Sequence, residues 1–336
     1  MRTVLGRRDF LGMAAAAAAT GPLALTTASS ALARPQSFPA PDRELMVEVP
    51  GGRLYVRING RLDQDRPPIV MIHGGPGGTH IDFLDGIELA ESRAVILYDQ
   101  LDCGLSDRPN DPANWTVPRF VDELETIRNA LGVPRWHVLG HSWGGTIALE
   151  YGARRPLALA GLVLASPLIS THRWIADARV LRSQLPKDVQ SQLSHCQSAK
   201  PPPKAKCNAA TGIYYQNFVD REPVSEAWRS YHPPGDRGIN LKLYETMWGA
   251  SEFTCTGTLR SYDGEPLLAR LDGRHTLLLV GQYDEARPAT ALAYAQRVKG
   301  AEIGVVPGSG HMIFSDRPDE AVAILRGWLS RQDRTG

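Results

Sequence analysis

Short, continuous apolar runs separated by helical segments dominate the chain from residue 69 onwards. The runs lie at residues 69–72, 94–98, 162–165 and 277–280, the last within a predicted strand at 275–280. Runs of four to six apolar residues are typical of strands buried on both faces of a sheet. Between them, Phe120, Leu124, Ile127 and Leu131 have helical spacing, and Gly132 follows as a stop signal. This alternation predicts an α/β fold with a mostly parallel sheet and helices on both faces.

Two regions depart from the alternating pattern. Residues 45–49 and 54–58 alternate apolar and polar around Pro50-Gly51-Gly52, which predicts a β-hairpin. Residues 167–260 contain no buried strand run but many aromatics, prolines and polar helical segments. We therefore predict a core made of residues 42–166 and 261–336, with residues 167–260 inserted as a helical cap.

The composition and net charge of the chain exclude few classes of function. The chain has 336 residues, of which 43% are hydrophobic, and its formal net charge is +1. No basic run with interleaved aromatics suggests a nucleic acid partner. Histidines and cysteines show no metal-ligand spacing, and no cofactor is expected.

The first 33 residues have the features of an export signal. Arg7 and Arg8 precede an apolar, alanine-rich stretch, no charged residue occurs between Asp9 and Arg34, and residues 31–33 offer a small-x-small cleavage site. This pattern predicts a twin-arginine (Tat) signal peptide, the Tat export machinery as a partner, and a periplasmic or extracellular product. The alternative is an uncleaved membrane anchor, which the weakly apolar alanines disfavour. After cleavage we expect no stable membrane insertion.

Four cysteines remain, at positions 103, 196, 207 and 255. Cys196 and Cys207 bracket a short proline-containing segment, and an exported protein permits disulfides. A local bridge between these two residues is one of the open pairings.

Candidate chemistry begins with Ser142, in the sequence G-H-S-W-G of residues 140–144. An apolar strand precedes this G-x-S-x-G pattern and a helical run follows it. A serine on such a sharp turn needs small neighbours, because adjacent backbone would otherwise clash. The context predicts a nucleophile elbow.

Asp284 and His311 complete a candidate triad with Ser142. Each of the three follows a separate predicted strand, and the order serine, aspartate, histidine is the one found in α/β-hydrolases. His311 would take the proton of the attacking serine, while Asp284 would orient the imidazole and stabilise its charged form. Glu285 is the alternative acid.

An attacked carbonyl also needs backbone donors for the oxyanion that forms on it. The residue after the nucleophile, Trp143, supplies one N–H. The loop after residue 72, H-G-G-P-G-G, supplies the other, for which we select Gly75.

Six sequence blocks together resemble the proline iminopeptidase family of α/β-hydrolases, in its tricorn-interacting aminopeptidase and amino-acid amidase branch. The blocks are H-G-G-P-G-G at 73–78, Y-D-Q at 98–100 with C-G at 103–104 and Ser106, G-H-S-W-G-G at 140–145, W-G-A-S-E-F at 248–253, G-Q-Y-D at 281–284 and G-H at 310–311. The resemblance runs from about residue 42 to the C-terminus. It implies a serine exopeptidase acting on short peptides or amino-acid amides.

The resemblance also implies that Glu252 binds the free amino group of the substrate, with Glu222 as candidate for a second carboxylate. An independent argument supports Glu252, because a carboxylate in an aromatic cap is costly to bury unless a cation meets it. The alternative is a solvated or salt-bridged glutamate. Ala165-Ser166-Pro167 replaces an arginine-containing stretch of many family members, so strict proline preference does not follow from the resemblance.

Two other functions remain open at this stage. A carboxylesterase or amidase on small molecules would use the same triad with a cap that recognises no amine. A catalytically silent receptor would use the pocket for binding only. Dehalogenases and epoxide hydrolases of this fold carry an aspartate where Ser142 stands, which argues against them.

Overall fold

One eight-stranded sheet forms the centre of the protein, and the computed structural model describes it within residues 36–62, 65–198 and 200–334. Its order is β1-β2-β4-β3-β5-β6-β7-β8. The strands are β1 (Arg43–Val49), β2 (Gly52–Asn59), β3 (Ile69–Ile72), β4 (Val95–Tyr98), β5 (Trp136–His141), β6 (Leu159–Ala165), β7 (Thr276–Gly281) and β8 (Glu302–Val306). β2 pairs antiparallel with β1 and β4, and the remaining neighbours are parallel. The predicted α/β class and hairpin are confirmed.

Helices cover both faces of this sheet. In the described residues the α-helices are α1 (Val117–Leu131), α2 (Trp143–Ala153), α3 (Thr171–Gln184), α4 (Lys187–Cys196), α5 (Lys204–Phe218), α6 (Glu226–Ser230), α7 (Leu241–Met247), α8 (Pro288–Arg297), α9 (Ile313–Asp316) and α10 (Pro318–Gln332). Five 3₁₀ helices accompany them: His80–Glu91, Pro112–Asn114, Thr258–Ser261, Glu265–Arg270 and Gly273–His275.

The strands are apolar throughout because each face packs against its own helical layer. In β3, Val70 and Ile72 join the cluster formed with α1, α2 and α8, whereas Ile69 and Met71 join the cluster formed with α10 and the 3₁₀ helix His80–Glu91. Successive side chains of a strand point to opposite faces, so burial on both faces requires a continuous apolar run.

The segment from residue 167 to 260, predicted as the cap, carries α3 to α7 and no strand of the sheet. Its helices bury a third apolar cluster, which includes Leu181, Leu193 and Tyr214. A disulfide joins Cys196, at the end of α4, to Cys207 in α5, as the spacing allowed. The predicted signal peptide, residues 1–33, lies outside the described residues. Within those that are described, no helix has the length and apolar character needed to cross a membrane.

Candidate active site

Ser142 lies between the last residue of β5 and the first residue of α2. Its φ of 56° and ψ of −119° are sparsely populated for a residue with a side chain. A Cβ on Gly140 would lie 2.0 Å from the Gly144 carbonyl oxygen, and one on Gly144 would lie 2.1 Å from that of Ile72. The strand and helix therefore approach too closely at this turn for any residue but glycine.

Asp284 and His311 form the second part of the site. Nδ1 of His311 lies 2.9 Å from Oδ1 of Asp284. The aspartate also accepts hydrogen bonds from the backbone N–H groups of Gly281 and Ala286 and from the hydroxyl of Ser166. Because the carboxylate accepts, Nδ1 of His311 carries the proton, and Nε2 is left as the proton acceptor.

Sequence reasoning missed Ser166, which it treated only as a departure from the family pattern. The residue follows β6 directly, is buried, and has a φ of 45°. Its position after a parallel strand was the available signal, since active-site residues gather at those strand ends.

Ser142 and His311 come from distant parts of the chain, and His141 connects their loops. Nε2 of His141, the residue before the serine, lies 2.8 Å from the carbonyl oxygen of His311, and the two rings are 4.7 Å apart. The hydroxyl of Ser142 makes no capping hydrogen bond to α2. Contacts between nucleophile and base are commonly loose in an unliganded site and tighten when substrate binds.

The environment of His311 sets its proton affinity. Burial of the imidazole lowers its pKa, but the carboxylate of Asp284, assisted by Glu252 and Asp220, more than offsets this, so the pKa of His311 is raised above its ordinary value. A more basic imidazole is a better acceptor of the serine proton, provided that the pH lies above this pKa.

Two backbone N–H groups lie where an oxyanion hole would form. A Cβ on Gly74 would come within 3.0 Å of Cβ of Ser142, which places the H-G-G loop directly beside the nucleophile. Gly75 has a φ of +113°, and among the described residues its N–H donates no hydrogen bond. Trp143 is the first residue of α2, so its N–H has no acceptor within the helix.

Glu252 lies in the cap near the base. Its Oε1 accepts a hydrogen bond of 2.8 Å from the hydroxyl of Tyr244, and its backbone N–H donates to the hydroxyl of Tyr215. The indole N–H of Trp174 donates to the Glu252 carbonyl oxygen, and the same indole packs edge-on against the ring of His311 at 5.4 Å. One side chain thus contacts both the amine-binding candidate and the catalytic base.

Glu285 is a second carboxylate at this site, with only 1% of its surface exposed. Neither carboxylate oxygen forms a hydrogen bond of ordinary geometry among the described residues, although the Tyr214 hydroxyl lies beside the carboxylate and interacts with it. Burial, with the charges of Glu252 and Asp284, raises the pKa of Glu285 well above its usual range. The sequence analysis considered this residue only as an alternative to Asp284. Its position next to the acid of the triad was a signal for a different role.

Glu222, the sequence-based candidate for a second amine-binding carboxylate, has another partner. Its Oε1 forms an ion pair of 2.6 Å with Arg317, and about a third of its side chain is exposed. Its backbone N–H donates to Asp316. The structure therefore pairs Glu222 with a cation of the chain itself.

A strained serine, a histidine–aspartate pair and free backbone donors at the strand ends of this sheet define a serine hydrolase of the α/β-hydrolase class. The family model described as alpha/beta hydrolase fold matches residues 67–318. The chain belongs to the proline iminopeptidase family of these hydrolases, as its similarity to curated members shows.

Three relatives illustrate the extent of the similarity. The proline iminopeptidase of Heyndrickxia coagulans is 35% identical over 289 residues, which cover 85% of this chain and 98% of the relative. That of Lactiplantibacillus plantarum is 32% identical, covering 84% and 99%. The solved structure of the Mycobacterium smegmatis proline iminopeptidase is 29% identical, with a TM-score of 0.78 and coverage of 87% and 99%.

Proposed function

We propose that this protein is a secreted aminopeptidase that releases one N-terminal residue, with proline as the first candidate, from short peptides or amino-acid amides. Ser142 attacks the scissile carbonyl while His311 accepts its proton, and Asp284 stabilises the resulting imidazolium. The N–H groups of Gly75 and Trp143 bind the oxyanion. His311 then protonates the departing amine, which leaves an acyl-enzyme that water hydrolyses with the same base.

The single observation that carries the proposed amine specificity is the buried Glu285 carboxylate, whose oxygens form no hydrogen bond of ordinary geometry among the described residues and whose pKa is raised by burial and by the nearby charge of Glu252. Two carboxylates that share a buried site destabilise each other's charged forms unless a cation lies between them. The protonated amino terminus of a peptide is such a cation. Binding it would favour ionisation of Glu285 and place the first carbonyl of the peptide near Ser142.

A comparison of Glu252→Gln and Glu285→Gln on two substrates tests this assignment. On alanyl and prolyl anilides, each variant should lose ~10²-fold in kcat/KM, because a buried charge pair loses one partner. On p-nitrophenyl acetate, which has no amino group, both should stay within about threefold. Glu222→Gln is the matched control and should behave as the wild type. Equal losses on both substrates would contradict amine recognition.

The same panel separates the aminopeptidase from a small-molecule esterase or amidase. An aminopeptidase should hydrolyse aminoacyl anilides and lose them as substrates when the amino group is acetylated. Faster turnover of blocked than of free anilides would support the esterase or amidase instead. The rank of the prolyl and alanyl members measures the residue preference directly.

Export is the remaining part of the proposal. The predicted twin-arginine signal supports it, and the cap disulfide fits it, since disulfides persist mainly in oxidising compartments. Replacing Arg7 and Arg8 together with lysine should retain the protein inside bacterial cells, as measured by fractionation. Export of that variant in amounts equal to the wild type would contradict the Tat route.

A further inference from the structure

We propose that Gln100 is a positioning residue that fixes the distance between the two halves of the oxyanion hole. The proposal rests on the assignment of Gly75 and Trp143 made above. Gly75 lies in the loop after β3, whereas Trp143 is the first residue of α2, just after β5, so a fixed distance between the two donors requires a contact between that loop and α2.

The side-chain amide of Gln100 connects that loop to α2. Its Nε2–H donates to the carbonyl oxygen of His73 at 3.0 Å, and His73 is the first residue of the H-G-G loop that contains Gly75. Its Oε1 accepts from the indole N–H of Trp143 at 2.9 Å. One planar group therefore contacts both residues that set the positions of the donor N–H groups, and a primary amide supplies the required donor and acceptor together.

A second set of hydrogen bonds holds the same loop through the ring of His73. The backbone N–H of Gln100 donates to Nε2 of His73 at 3.1 Å, so that nitrogen is an acceptor and the proton is on Nδ1, which donates to the Gly74 carbonyl. Burial lowers the pKa of His73 despite the nearby charge of Asp99, which favours the neutral ring that this arrangement needs. Gln100 thus sets both the position of residue 73 and the orientation of its ring.

Water cannot replace this amide. Gln100, His73 and Trp143 are all completely buried, and the indole of Trp143 packs edge-on against Phe120 at 5.8 Å. Losing the amide would leave a buried carbonyl and a buried indole N–H without partners. The loop would relax relative to Ser142, and displacements well below 1 Å already weaken an interaction made only in the transition state.

Gln100→Met, Trp143→Phe and the double variant test this inference on p-nitrophenyl acetate. Methionine keeps the volume of glutamine without its hydrogen bonds, and phenylalanine keeps the aromatic packing without the indole N–H. Each single variant should lower kcat by ~10- to 100-fold with KM within about threefold, because oxyanion contacts act mainly in the transition state. The double variant should lose no more than the worse single one, since both remove the same bridge.

The affinity for a boronic acid inhibitor, which forms a tetrahedral adduct with Ser142, distinguishes a positioning role of Gln100 from a purely structural one. This affinity should fall by the same factor as kcat in each variant. Thr276→Val, which removes a hydrogen bond to Asp272 at the far end of β7, is the control and should keep wild-type kcat. Multiplicative losses in the double variant, or a change in kcat below twofold in the singles, would overturn the inference. If Gln100→Met does not fold, Trp143→Phe decides alone.

The ester also separates this inference from the proposed aminopeptidase activity. It needs the oxyanion hole but no amine recognition, so the Gln100 result stands even if aminoacyl anilides are not hydrolysed. Conversely, normal ester kinetics in these variants would leave the tests of Glu252 and Glu285 unaffected.

Discussion

The strand ends of the core and the segment predicted as the cap hold their candidate site residues in different ways. In the core, Ser142, Asp284 and His311 each follow a parallel strand, and backbone geometry fixes their positions. In the cap, Glu252 lies in an irregular segment and is held by side-chain contacts with Tyr244 and Tyr215. In the proposed function the core therefore supplies the reaction chemistry, and the cap supplies recognition of the substrate's amino group.

Glu285 connects these two regions. It follows Asp284 in the core, its backbone N–H donates to the carbonyl of Phe218 at the end of the cap helix α5, and burial together with the nearby charge of Glu252 raises the pKa of its carboxyl group. In the proposed function, a residue adjacent to the triad in sequence thus takes part in amine recognition. The comparison predicts that damage to the core affects every substrate, while damage to the cap affects aminoacyl substrates selectively.

Asp284→Asn should give the largest loss and should not discriminate between substrates. We expect kcat/KM to fall by ~10⁴-fold on both aminoacyl anilides and p-nitrophenyl acetate, because His311 loses its orientation and the partner of its charged form. The charge of Asp284 raises the pKa of His311, whereas burial lowers it. Removing that charge should therefore move the acid limb of kcat/KM to lower pH. Ser142→Ala provides the background rate.

An acid limb that stays in place in Asp284→Asn would contradict the role of Asp284. Glu285 would be the acid of the triad if Asp284→Asn kept substantial activity on the ester while Glu285→Gln, with Asp284 intact, was inactive on it. The 2.9 Å contact between His311 and Asp284 argues against that exchange.

The sequence predicts the candidate site residues of the core better than those proposed to recognise the amino group. The turn at Ser142 could be recognised because a Cβ at residue 140 would clash with the Gly144 carbonyl four residues further on, and that requirement for glycine is local in sequence. Glu285 and Glu222 could not be ranked, because their difference is one of burial and of partners distant in sequence. Arg317, the ion partner of Glu222, lies 95 residues away along the chain. Such contacts are a property of the folded cap and core together.

Ser166→Ala should give a smaller loss that is also confined to the core. The Ser166 hydroxyl donates to Oδ2 of Asp284, while two backbone N–H groups continue to hold the carboxylate. Losing one of several donors should reduce kcat by ~3- to 30-fold, equally on aminoacyl anilides and on the ester, with little change in KM. A loss confined to aminoacyl anilides would instead assign Ser166 to substrate recognition.

Removing the cap disulfide should give the smallest change and one confined to the cap. Cys196 and Cys207 lie 11 residues apart, so the bridge restricts a short loop and should contribute ~1–3 kcal/mol to the stability of this region. In Cys196→Ser/Cys207→Ser, we expect KM for aminoacyl anilides to rise a few-fold, because α5 carries Tyr214 and Tyr215 beside the two carboxylates. Turnover of p-nitrophenyl acetate should remain within twofold.

Reduced wild-type protein should match the variant, and the variant should not respond to reductant. Loss of ester turnover in step with anilide turnover would show that cap and core do not separate as the comparison requires.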